Sequence, residues 1–128
     1  MAATTIPSDH PAPADALARA LAAALGRLGA EGRPVAVACV GTDRSTGDAL
    51  GPLVGEGLLR LGVDPARVIG TLERPLHALN LEARLGRMGA GHPRPLIVAV
   101  DAALGPAETV GAIALRLGGL RPGQGLGR

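Results

Sequence analysis

Apolar positions in this chain fall into short unbroken runs and helical stripes. The stretches "PVAVACV" (34–40) and "RPLIVAV" (94–100) are apolar almost throughout. Runs of that length without alternation predict strands buried on both faces, as in a parallel sheet. "RVIGTL" (67–72) reads as a further strand. Leu17, Leu21, Leu25 and Leu28 recur at spacings of four and three, which predicts a helix over 14–28. Asp15 in its first turn suits the helix dipole, and Gly29 ends it. Leu50, Leu53, Val54, Leu58 and Leu61 form the stripe of a second helix over about 48–61. Leu81, Leu85 and Met88 mark a short third helix over 80–88. "TVGAIALRL" (109–117) alternates, with Ile113, Leu115 and Leu117 on one side, the pattern of a fourth strand running antiparallel. Residues 1–13, rich in Pro and polar groups, predict a loose arm. The Gly-rich end, "GGLRPGQGLGR", carries no pattern.

Strand and helix in alternation predict an α/β domain over 14–128 with a mainly parallel sheet. With the 34–40 strand central, the 67–72 and 94–100 strands flank it. The crevice between the 34–40 and 94–100 strands, at their carboxyl ends, is then the topological switch point where open α/β sheets bind ligands.

Composition narrows the choice of function. The 128 residues contain no Phe, Tyr or Trp, so the core must be aliphatic and stacking of bases on aromatic rings is closed. All 13 basic residues are Arg, the net charge is only +2, and the arginines are scattered. Nucleic-acid binding through a basic patch is not supported. A single cysteine, Cys39, forbids an internal disulfide, and within its strand it reads as a buried, inert thiol. The first dozen residues hold no Lys or Arg and no long apolar run, unlike a secretory signal. No window has the length of a membrane span. The expectation is a soluble cytoplasmic protein that binds neither nucleic acid nor membrane.

The polar loop "GTDRSTGD" (41–48) leaves the carboxyl end of the central strand. Ser45 and Asp48 have the spacing of a capping box, which alone accounts for Asp48. The sharper reading is a carboxylate at the mouth of the crevice. Asp101 ends a Val-Ala-Val strand, where a carboxylate must find hydrogen bonds, a metal or a proton. Two carboxylates sharing a site push one pKa upward, so that one is protonated while the other is ionised. Such a pair activates water and protonates a leaving group, or holds a divalent cation. Asp43 and Arg44 read as an ion pair or a side-chain-stabilised turn. Gly41 and Gly47 read as turn residues. The loop lacks the lysine of a phosphate-binding P-loop. His77 precedes the third helix, as a surface or capping residue or at the rim of the crevice. Asn80 reads as a helix cap.

"CVGTDRSTGDALGPLVG", "GTLERPLHALNLE" and "VAVDAALG" together resemble the YyaC-type sporulation protein family, whose members are often described as candidate spore proteases. The trailing "VGAIALRLGGLRPGQGLGR" is similar too. The likeness runs from about Val35 to the last residue. That family looks like a relative of the germination protease of spore formers and of the hydrogenase-maturation proteases. The resemblance implies their three-layer α/β/α, phosphorylase/hydrolase-like fold. It also implies a working pair of acidic residues, which matches Asp48 and Asp101 here. In the maturation proteases the acidic pair and a later histidine recognise a metal. In the germination protease the aspartates are held to hydrolyse peptides without one. Relatives continue past "RPGQGLGR" into another strand and helices, so the resemblance implies a C-terminally shortened domain. Its uncovered sheet edge favours aggregation or pairing with a second copy as a homo-oligomer.

Three functions follow as expectations. The first is a cytoplasmic peptidase of the mother cell or developing spore. Asp48 and Asp101 would be its catalytic residues, a protein or peptide its substrate, and no metal or cofactor would be required. Gly41, Thr42, Asp43, Ser45, His77 and Asn80 would support the site or bind substrate. The second is a non-catalytic sporulation protein, or an inactive shortened copy, that binds a peptide or metal in the same crevice. The third is a small-molecule hydrolase or phosphorylase, disfavoured by the absence of a phosphate-binding motif.

Overall fold

A computed structural model of the chain describes residues 4–42, 48–77, 79–89 and 94–118. These fall into two compact units, 4–31 with 105–118 and 32–104, where the sequence suggested an arm and one domain.

The first unit is built on β1 (Thr4–Ile6), α1 (Pro13–Arg27) and β5 (Ile113–Leu115). β1 and β5 pair antiparallel, with Ile6 opposite Ile113. Part of the expected loose arm is therefore a strand. Three ladder positions and the burial of Ile6, 4% exposed, hold it in place. The alternating 109–117 segment does form an antiparallel strand, but in this two-stranded sheet and not beside the parallel one. α1 begins with Pro13 at its first turn, where a missing N–H costs nothing. The His10 Nδ1 accepts the Ala12 N–H at 2.9 Å just ahead of it. Gly29, at φ +73°, turns the chain out of the helix.

The second unit contains β2 (Val35–Cys39), α2 (Leu50–Arg60), β3 (Val68–Ile69), α3 (Leu81–Gly89) and β4 (Leu96–Val100). The sheet is parallel with order β3-β2-β4, so the "PVAVACV" run is central, the premise on which the strand order was expected. With three α-helices among the described residues the chain is a mixed α/β protein. Ala36, Ala38, Cys39, Val40, Ile69, Leu76 and Leu81 form the core of this unit, with no aromatic member.

β4 differs from expectation. Its residues alternate: Leu96, Val98 and Val100 are half-buried, while Ile97 and Ala99 are exposed. Among the described residues β4 is an edge strand with one face open, and Ile97 is 41% exposed. Arg33 reaches across its start, its Nε donating to the Arg94 carbonyl at 3.0 Å.

The expected strand over 67–72 is reduced to Val68–Ile69. Gly70 stands at φ +99°, and a Cβ there would strike the Cys39 carbonyl oxygen. The chain loops out through 71–75 and returns at Leu76, which pairs parallel with Val40 and is fully buried. The loop is closed locally, the Thr71 N–H donating to the Arg74 carbonyl and the Arg74 N–H to the Thr71 Oγ1.

α2 lies on the sheet by an unexpected face. Gly51, Pro52 and Gly55 are its buried residues, while Leu50, Leu53 and Leu61 are exposed. A Cβ on Gly51 would overlap the Val40 backbone, and one on Gly55 the Gly70 carbonyl. At Gly51 and Gly55 the helix backbone approaches its neighbours so closely that a side chain does not fit, and Leu50 and Leu53 are left exposed. No described helix is long and apolar enough to cross a membrane.

Candidate active site

At the carboxyl end of β2 the backbone splits its hydrogen bonds between the two neighbouring strands. The Val40 N–H donates to the Val100 carbonyl at 2.8 Å, and the Gly41 N–H donates to the Leu76 carbonyl at 2.8 Å. The residues that follow each acceptor, Asp101 and His77, therefore flank the turn that begins at Gly41. This is the switch-point geometry of an open parallel sheet.

The turn brings Asp48 back to the same end. The Thr42 N–H donates to the Asp48 carbonyl at 3.0 Å. Gly41 stands at φ +146°, and a Cβ on it would run into that carbonyl and the Pro52 ring. Asp48 does not serve as a cap of α2. The helix begins at Leu50 behind Ala49, and no side chain caps it. The capping-box alternative rests on Ser45, which lies outside the described residues, as do Asp43, Arg44 and Gly47.

Asp48 and Asp101 come together, both half-buried. Burial raises the Asp101 pKa above its ordinary 3.8, and the nearby negative charge of Asp48 raises it further. The Ala102 N–H donates to the Asp101 carboxylate and opposes both effects. The Asp101 carboxyl therefore holds a proton more readily than a free aspartate does, beside a second carboxyl group. Among the described residues, no three His, Cys, Asp or Glu side chains gather into a metal-binding set.

His77 and Asn80 are tied to one another. The His77 N–H donates to Asn80 Oδ1 at 2.9 Å, and Asn80 Nδ2 donates to the Pro75 carbonyl at 3.0 Å. Asn80 directly precedes α3 and accepts the Arg84 N–H through its own carbonyl, so it does stand at the cap position. Its side chain, however, reaches back into the loop. His77 Nδ1 accepts the Leu79 N–H at 3.2 Å, which leaves Nε2 as the proton-bearing nitrogen of the neutral ring. No hydrogen bond or ion pair links His77 to either aspartate among the described residues. Cys39 is buried beneath the site, and burial pushes its thiol up to about 11. That agrees with an inert core residue.

Sequence reasoning missed Arg84. Its Nη1 donates to the carbonyls of Arg74 at 3.1 Å and Pro75 at 3.0 Å, bracing the loop that carries His77. It also missed Glu56, whose Oε2 accepts the Leu72 N–H at 3.2 Å. Neither leaves a trace in hydrophobic periodicity.

Over 97 residues, 76% of its length, the chain is 44% identical to the uncharacterized protein YyaC of Bacillus subtilis (strain 168). The aligned part covers 47% of that protein, so the chain spans about half the length of the curated relative it matches. No solved structure matches the chain. The family model described as "Protein of unknown function (DUF1256)" matches residues 6–128, nearly the whole chain, and the protein accordingly belongs to the DUF1256 family.

Proposed function

We propose that the protein is a peptidase in which Asp48 and Asp101 hydrolyse a protein or peptide substrate. The observation that carries this reading is the pairing of a half-buried Asp101, inclined to hold a proton, with the Asp48 charge beside it at the switch point of the sheet. Pairs of carboxylates in such unequal states divide acid and base work between them. Asp48 takes a proton from water as the water oxygen adds to the peptide carbonyl carbon. Asp101 gives its proton to the carbonyl oxygen. When the tetrahedral adduct collapses, the proton on Asp48 passes to the departing amine nitrogen. The hydroxyl of the adduct returns its proton to Asp101 as the new carboxyl forms, so both residues regain their starting states. Thr42, at the start of the polar loop, holds the Asp48 backbone through its N–H.

The sequence resemblance to sporulation proteins supports a role in the spore-forming cell, in its cytoplasm. The parallel sheet with β2 at its centre supports the three-layer α/β/α, phosphorylase/hydrolase-like class. Kinship with the germination and hydrogenase-maturation proteases rests on the same two aspartates.

The test is cleavage of a quenched fluorescent peptide library, followed with Asp48→Asn and Asp101→Asn. Each variant should lose turnover by roughly 100-fold or more, the scale of general acid–base catalysis, while keeping a cooperative melt. If the wild type cleaves nothing but binds library members through the same aspartates, the protein is a binding module and the peptidase reading is wrong.

A further inference from the structure

Three arginines, Arg74, Arg84 and Arg87, gather where the loop that carries His77 meets α3. Arg84 and Arg87 are one helical turn apart on α3, on the same face. Arg84 Nη1 donates to the Arg74 carbonyl, which brings Arg74 to the same place. Burial lowers the Arg84 pKa, and the charges of Arg74 and Arg87 lower it further. Two exposed glutamates are close in sequence, Glu73 and Glu82. Neither forms an ion pair with the cluster, and among the described residues no carboxylate lies within ion-pair distance of the three. Like charges held together without counter-charge disfavour the isolated protein and favour an anionic partner.

We propose that Arg74, Arg84 and Arg87 form a docking site for an acidic segment of the peptide substrate. This rests on the peptide-hydrolase reading of the aspartate pair. The placement follows from the backbone. Arg84 braces the Pro75 carbonyl, and the next residue, Leu76, accepts the Gly41 N–H. The Arg84 contact is thus one residue removed from the backbone that holds the turn at Gly41. From the end of β4 across β2 to Leu76 is two strand spacings, roughly 10 Å. An extended peptide covers that distance in about three residues. With the reach of an arginine side chain added, the site recognises Asp or Glu roughly three to five residues from the bond presented to Asp48 and Asp101. Arg84 holds the loop through its hydrogen bonds, while Arg74 and Arg87, both exposed, supply the contact charge.

The experiment measures fluorescence anisotropy of two labelled peptides, one carrying a run of Glu and the other Gln at the same positions. The intact chain is compared with the double variant Arg74→Gln/Arg87→Gln. Exposed Arg60→Gln/Arg67→Gln serves as a control of equal charge change. The wild type should prefer the Glu peptide by roughly three- to tenfold, the yield of two exposed charge contacts. The preference should shrink with added salt and vanish in Arg74→Gln/Arg87→Gln, but not in the control. Equal affinity for both peptides, or equal loss in the control, overturns the proposal. So does a stronger effect on binding of a phosphopeptide than of the Glu peptide. Binding is read without turnover. An acidic preference in a protein that cleaves nothing leaves the docking site standing and removes the peptidase reading. Cleavage without acidic preference does the reverse.

Discussion

Gly41 faces the backbone carbonyl of Asp48 with no room for a Cβ between them, while the next N–H, that of Thr42, donates to the same carbonyl at 3.0 Å. This contact fixes the Asp48 backbone beside the end of β2, and with it where the Asp48 carboxylate stands. Gly41→Ala should therefore destabilise the chain by roughly 3 kcal/mol, combining left-handed strain with overpacking. It should also displace Asp48 from Asp101. Denaturant unfolding followed by far-UV circular dichroism gives the first effect. Titration of Asp101 by carboxyl-resolved NMR gives the second, as a pKa closer to 3.8.

Glycines within α2 should respond in opposite directions. Gly55→Ala places a methyl against the Gly70 carbonyl and should cost roughly 1–3 kcal/mol. Gly57 has open space around its Cα, so Gly57→Ala should stabilise by about 0.5–1 kcal/mol through helix propensity. Paired urea melts decide this; a gain from Gly55→Ala would mean that the helix does not sit against the loop after β3.

Stability should depend on pH through Asp101. Its folded pKa is raised, so the native state holds this proton more tightly than the unfolded chain does. The group thus favours folding below about 3.8, and that contribution is lost as pH rises through the folded pKa. Asp101→Asn removes the charged form. Its thermal midpoint should lie above that of the wild type at neutral pH, and the difference should close as pH falls toward 4. A variant less stable at neutral pH would contradict the raised pKa.

Asn80→Ala should cost about 1–2 kcal/mol, since it leaves the His77 N–H without its partner and removes one of two donors to the Pro75 carbonyl. Hydrogen exchange should accelerate at His77 and leave β2 unchanged. Uniform acceleration across the sheet would mean that Asn80 supports the global fold and not the loop.

Cys39 should be silent toward a thiol reagent at mildly alkaline pH and react fully once the chain is unfolded. It is fully buried, and its thiol is pushed up to about 11. Rapid labelling of the native protein would show that β2 opens far more readily than a central strand should.

Periodicity and run length were enough to locate α1, α2, α3, the central strand and β4 to within about two residues, because these signals are local properties of the chain. The order of the parallel strands was legible only on the premise that 34–40 is central, since 94–100 is an equally apolar run and yet forms an edge among the described residues. Asp48 and Asp101 were legible as candidates because a carboxylate at a strand end or in a polar loop stands out against an aliphatic sequence. What could not be read was which face of a helix packs. Leu50 and Leu53 of α2 are exposed because its glycines allow the helix backbone to touch the strand ends, a gain that depends on where the strands lie. Nor could the partners of β1 and β5 be read, since pairing across a hundred residues leaves no local trace. The break in β3 at Gly70 and the return at Leu76 likewise depend on the Cys39 carbonyl occupying the space a side chain would need. Sequence determined which segments become strand or helix and which carboxylates stand at their ends. Tertiary structure alone decided which backbones touch, and so brought Asp48 to Asp101, because close approach is a property of two segments together and of neither by itself.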